Sequence, residues 1–266
     1  MALHAVVTGA NRGIGLEVAR GLLARGWQVT AVVRSDETGQ AVTRALGAVR
    51  VVTGPLDELS QVRRVGATLL EGPPISALVH NAGVWPSARV LTVDGLEQAF
   101  AVNHLAPFLL NHLLGAHLAN ARVVQVSAGL AVKGRVDLER TPRGDDFSAL
   151  RTYATTKLCN LALTNRWVSS FAAKGSSYAA VHPGVIRTGL GDRRGPLGWL
   201  LRLAKRGWKS PEEGGANVVK VVAAEGERGC WFDEARPAPL PSAAADPMLA
   251  DALWRQAASL CAIAAP

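Results

Sequence analysis

Ala5-Val6-Val7-Thr8-Gly9-Ala10-Asn11-Arg12-Gly13-Ile14-Gly15 joins an apolar strand to the start of a helix through a glycine-rich turn. Beyond it, Ile14, Val18, Leu22 and Leu23 fall on one helical face, Gly26 ends the helix, and Gln28-Val29-Thr30-Ala31-Val32-Val33 reads as a second strand. A strand, turn, helix and strand within about 30 residues is the unit of a dinucleotide-binding parallel sheet. Its glycines let backbone approach a ligand closely, and the first helical turn offers unpaired N–H groups to a pyrophosphate.

The alternation continues. Strands are expected at Val49–Val52, Ile75–His80, Arg122–Val126, Tyr178–His182 and Gly229–Phe232, with helical periods between them. Ser210-Pro211-Glu212-Glu213 is a helix start, and Pro247 to Ile263 a terminal helix holding Leu249, Leu253, Trp254 and Leu260 after a Pro237–Pro241 loop. The fold class is α/β: a doubly wound Rossmann-type parallel sheet of about seven strands, with helices on both faces, in a single domain.

The chain has 266 residues, 48% hydrophobic and 19% charged, which excludes a disordered polymer. A net charge of +8 raises nucleic acid, a membrane surface or an anionic ligand as partners. No nucleic-acid motif accompanies the scattered arginines, so a phosphate-rich cofactor is expected instead. Cys159, Cys230 and Cys261 lack metal-ligand spacing, so no metal is expected, and no disulfide framework. No apolar run reaches bilayer length and the first residues lack a signal-peptide pattern, so the expected location is cytoplasmic.

Tyr153 and Lys157 stand four apart in a stretch of helical period, with Leu150, Ala154, Leu158 and Leu161 as its apolar stripe. A phenol titrates near pH ~10, and a neighbouring ammonium favours its ionised form. Alone, such a pair reads as a solvated helix face.

Four motifs in order change that reading: Thr8-Gly9-x-x-x-Gly13-x-Gly15, Asn81-Ala82-Gly83, Tyr153-x-x-x-Lys157 and Pro183-Gly184-x-x-x-Thr188. Together they resemble the short-chain dehydrogenase/reductase family over nearly the whole chain. The run from Asp94-Gly95-Leu96-Glu97 to Val102-Asn103-His104-Leu105 is similar to the family's retinol dehydrogenase-like branch. The resemblance implies an oxidoreductase interconverting carbonyl and alcohol. In it, Tyr153 exchanges the proton, Lys157 lowers the phenol's pKa and binds the nicotinamide ribose, and Asn103 holds a relay water. His104 becomes a packing residue. Gly9, Asn11, Arg12, Gly13, Ile14 and Gly15 would cradle the cofactor. The backbone at Leu56, the Asn81-Ala82-Gly83 triplet, and Pro183, Gly184, Ile186 and Thr188 would complete its site.

Two departures matter. The family's acidic residue after the second strand, which favours NAD, is Val33 here, followed by Arg34. Arg12 and Arg34 suit a 2′-phosphate through their planar forks, so NADP(H) is preferred over NAD(H). Asp36 and Glu37 read as the start of the next helix. Secondly, the family's substrate-binding serine aligns with Ala128, preceded by Ser127. Successive extended residues face opposite ways, so Ser127 replaces it only if a bulge turns it inward.

Residues 1–120 form the dinucleotide half, 121–188 the catalytic half, 189–212 a substrate lid and 213–266 the C-terminal helix, strand and tail. The lid is apolar and basic, which implies an apolar small-molecule substrate; transient membrane contact through 196–209 is the competing expectation. The resemblance suggests a monomer or homodimer. Ala128 keeps open an altered chemistry, C=N or C=C reduction, or cofactor binding without catalysis.

Overall fold

The computed structural model describes residues 2–187, 207–224 and 230–263. Thr188, most of the 189–212 lid and residues 196–206 of the basic apolar segment lie outside the described residues. Strands β1 (His4–Thr8), β2 (Gln28–Val33), β3 (Arg50–Thr53), β4 (Ala77–His80), β5 (Arg122–Val126), β6 (Ser177–His182), β7 (Trp231–Asp233) and β8 (Arg236–Pro237) form one sheet, ordered β3-β2-β1-β4-β5-β6-β7-β8. The first seven are parallel; β8 pairs antiparallel with β7. β8 adds to the expected seven strands, because the Pro-rich loop begins with two paired residues. Proline is tolerated there because β8 is an edge.

Neighbouring residues on each inner strand serve opposite faces. Val6, Val32, Leu78 and Val123 join one cluster with Phe108, Leu109, Cys159, Trp167 and Leu253. Val7, Val33, Val79 and Val124 join another with Val18 and Leu22 of helix Gly13–Leu23 and Val218 and Val222 of helix Pro211–Ala223. Burial on both faces is why these strands are mostly apolar rather than alternating. The terminal helix, Pro247–Leu260, seals the first face: Trp254 lies 4.5 Å from Trp167 and 5.1 Å from Phe108, ring centre to ring centre.

The helix Ala149–Ala162 departs from its expected stripe. Leu150 is 47% exposed, whereas every residue from Thr152 to Ala162 is buried. The helix is enclosed all round, so its polar residues bond inward and its first turn protrudes.

Two histidines are enclosed too. His80 is 2.8 Å from Asn111 Oδ1, and His104 Nδ1 is 2.9 Å from Asn160 Oδ1. Burial lowers both to a pKa of about 4 from 6.5. His4, His112 and His182 shift downward for the same reason. Above pH 6.5 these imidazoles are neutral in both folded and unfolded chains. As pH falls from 6.5 towards 4, the unfolded chain takes protons that the fold refuses. His80 and His104 each then weaken the fold by about 1 kcal/mol per pH unit. The urea midpoint is expected to be clearly lower at pH 5 than at pH 7.5; equal midpoints would contradict this account.

Candidate active site

Gly9 and Gly13 hold positive φ, +67° and +56°. A Cβ on Gly9 would stand 2.9 Å from Ala82 Cα, and one on Gly15 only 2.3 Å from Gly9 O and from Asn81 Nδ2. The turn is therefore packed against the coil leaving β4. Thr8 and Asn81 stitch the two together: Thr8 Oγ1 accepts from the amides of Asn81 and Ala82 at 3.1 and 3.0 Å, and Asn81 Nδ2 donates to Thr8 O and Gly9 O at 3.0 and 3.2 Å. The side-chain N–H groups of Asn81, a residue assigned to the cofactor site, shape the turn.

The helix Gly13–Leu23 starts at Arg12 with no side-chain cap and no acid in its first turn. Its first N–H groups point out of a turn that leaves no room for side chains at Gly9 and Gly15. These residues fit a dinucleotide's pyrophosphate. At the end of β2, Val33 is buried. Arg12 and Arg34 are exposed and pair with no other described residue. Asp36 and Glu37 occupy the first turn of helix Asp36–Leu46, capped by Ser35, as their sequence context implied. Leu56 is partly buried beside the apolar core, and the next residue, Asp57, accepts from Gln98 Nε2 at 3.1 Å.

Asn103 lies in a π-helical turn, Ala101–Leu105, between the helical segments Gln98–Phe100 and Ala106–Leu113. Wide turns of this kind free a carbonyl from the ladder. Asn160 Nδ2 donates to Asn103 O at 2.6 Å. Asn103's side chain holds the coil beyond β4: its Oδ1 accepts from Val84 N at 2.8 Å and its Nδ2 donates to Val84 O at 3.0 Å. The same Nδ2 reaches Thr156 Oγ1 at 3.0 Å. His104 is a packing residue, held by Asn160.

Tyr153 and Lys157 are both buried, 6% and 4% exposed. Lys157 Nζ donates to Val126 O at 3.0 Å and lies 5.8 Å from the centre of the Tyr153 ring. A Gly83 side chain would meet both Asn103 Oδ1 (3.4 Å) and Lys157 Nζ (3.6 Å), so the triplet's glycine keeps that space open. Burial pushes the phenol above its ordinary pKa and lowers Lys157 to about 8. The phenol oxygen bonds to no described residue. Trp85 stacks on the ring, centre to centre 4.6 Å and 10° from parallel.

There is no bulge at the end of β5. Ser127 N continues the ladder to Val181 O at 2.8 Å, and Ala128 is extended at φ −150°, ψ 148°. By alternation Ser127 faces with Val123, whose cluster includes Cys159 of the Tyr153 helix. Its hydroxyl is buried with no partner among the described residues. Beyond β6, Pro183 O accepts from Asn217 Nδ2 at 3.1 Å and Gly184 holds φ +105°. Ile186 is buried against Gly214, which also adjoins Ile14, bringing this turn beside the glycine turn.

Sequence reading missed Trp85 and Asn160. Asn160 lies seven residues after Tyr153, two turns along one face, which is the signal that points to it. Among the described residues no His, Cys, Asp and Glu group could hold a metal, and no helix is long and apolar enough to cross a membrane.

A family profile described as short chain dehydrogenase matches residues 3–196. Polyprenol dehydrogenase of Mus musculus is 35% identical over 277 residues, spanning 95% of this chain and 82% of that protein. Retinol dehydrogenase 11 of Homo sapiens is 31% identical over 263 residues, spanning 94% and 82%. A solved structure from Mycobacterium paratuberculosis is 30% identical and superposes with a TM-score of 0.81, covering 99% of this chain and 95% of that one.

Proposed function

This chain belongs to the short-chain dehydrogenase/reductase family, in its retinol dehydrogenase-like branch, and from that premise we propose that it interconverts a carbonyl and an alcohol on an apolar small molecule using NADP(H). The observation that carries the reading is Tyr153 itself: a buried phenol whose oxygen bonds to no described residue, on one helix with a buried lysine 5.8 Å from its ring. NADP(H), when bound, supplies or accepts the hydride. Tyr153 gives its phenolic proton to the carbonyl oxygen in reduction and takes one from the alcohol in oxidation. Lys157, cationic below its pKa of about 8, counters the rise that burial imposes on the phenol. Asn103 fixes the coil around Gly83 and, through Thr156, the helix carrying both groups; its main-chain carbonyl, which Asn160 already holds, keeps a second lone pair for a relay water.

Ser127 is the candidate second donor to the carbonyl, because its buried hydroxyl has no partner among the described residues. Ala128 supplies none. That favours, as a second reading, a C=N or C=C substrate, which depends less on paired donors to oxygen. The relatives named for retinol and polyprenol support an apolar substrate.

The preference for NADP(H) rests on Arg12 and Arg34, exposed and paired with no other described residue, with buried Val33 where an acid would serve NAD. Arg34→Ala is expected to weaken NADPH binding by about tenfold or more, the worth of a charge-assisted phosphate contact. NADH binding should barely change. Titrating both cofactors into both proteins checks this; wild type binding NADH as tightly as NADPH would sink the preference.

A further inference from the structure

We propose that Trp85 is a positioning residue for Tyr153: its indole, stacked on the phenol, holds the ring plane and with it the direction in which the phenolic O–H is presented to a substrate carbonyl. The inference rests on the reading of Tyr153 as the proton donor.

Three observations carry it. The two rings lie 4.6 Å apart and within 10° of parallel, an overlap that blocks one face of the phenol. The indole is mounted on a fixed support. Val84, the preceding residue, has both its N–H and its C=O bonded to the Asn103 side chain, at 2.8 and 3.0 Å. Asn103 in turn bonds Thr156, three residues along the helix from Tyr153, and Thr156 Oγ1 donates to Tyr153 O at 2.8 Å. The contacts close a circuit: Tyr153, Thr156, Asn103, Val84, Trp85 and back to the Tyr153 ring. Finally, Trp85 Nε1 is buried without a partner. Among the described residues no polar bond fixes the indole, which leaves the stack to orient it.

A phenol free to tilt would misplace its proton, and small misplacements of a reacting group are costly. The experiment compares Trp85→Ala, Trp85→Leu and Trp85→Phe in the full chain, with Tyr153→Phe as control. The readouts are steady-state reduction of an apolar aldehyde by NADPH and NADPH titration. Leucine fills space without a flat face; phenylalanine keeps the flat face but lacks the N–H. Expected are a fall in kcat of ~10–100-fold for Ala and Leu, unchanged NADPH affinity, and recovery by Phe to within about threefold of wild type.

Leu matching Phe would make Trp85 a space filler and overturn the proposal. So would Phe falling as far as Ala, which would assign the effect to the N–H. If Ala does not fold, the contrast of Leu with Phe decides. Should Tyr153→Phe keep full activity, the reading of Tyr153 fails first. If that control is inactive while all three Trp85 variants match wild type, the inference about Trp85 alone fails.

Discussion

Tyr153→Phe is expected to cut kcat for carbonyl reduction by ~10²–10⁴-fold, the usual worth of a placed general acid. The change removes one oxygen and no packing. Phenylalanine keeps the ring that stacks on Trp85 at 4.6 Å, and the lost hydroxyl bonds to no described residue. Folding and NADPH binding should therefore survive, so the loss falls on proton transfer. Thermal melting, NADPH titration and initial rates on the same preparation separate these effects. A Phe variant that reduces substrate at the wild-type rate would mean another group delivers the proton. Ser127, buried and unpaired, would be the first to test.

Gly15→Ala is expected to damage stability and cofactor binding together. The new methyl would stand 2.3 Å from Gly9 O and from Asn81 Nδ2. Neither can withdraw cheaply. Gly9 is held at φ +67° in the turn, and Asn81 Nδ2 is committed to two carbonyls of that turn. Relief must come from moving the helix start away from the glycine turn, which spoils its N–H array. Overpacking of this kind costs about 1–3 kcal/mol. NADPH affinity should fall by ~10-fold or more, since each 1.4 kcal/mol of lost contact is one decade. Denaturant midpoints and cofactor titration read the two effects. An unchanged midpoint with wild-type affinity would show that the turn is looser than its contacts imply.

The sheet was legible because its signal is simple. β2 and β5 run from Gln28 to Val33 and from Arg122 to Val126, as their valine-rich runs imply. The glycine turn was legible because only glycine tolerates φ +67° packed against Ala82. The Tyr153 helix was legible in its span and not in its environment. A stripe at period 3.6 presumes one wet face, and this helix is enclosed from Thr152 to Ala162. Once all faces are buried, Thr155, Thr156 and Asn160 cease to mark solvent and become connectors. Thr155 illustrates it: its Oγ1 accepts from Arg135 N and donates to Arg135 O, both at 3.0 Å. The π-helical turn at Ala101–Leu105 was illegible because no residue type encodes it. It shows only when Asn160 is seen taking the freed carbonyl. Trp85 was hidden for a related reason, since a stack across two coils leaves no periodic trace. At Ser127 the ladder is regular, so alternation alone sets the face on which its side chain lies. The strand needs no bulge to keep Ser127 on the side of the Tyr153 helix.

Asn160 also limits how this chain can change over generations. Its Nδ2 serves Asn103 O and its Oδ1 serves His104, while Thr156 serves the Asn103 side chain. Losing any one member strands a buried partner, at about 1–3 kcal/mol. Replacing several at once with apolar groups of matching shape need not carry that cost. Drift through single substitutions is thus closed at these positions while joint replacement stays open. Asn103, His104, Thr156 and Asn160 should pass from ancestor to descendant as a block, whatever happens to the substrate the enzyme serves.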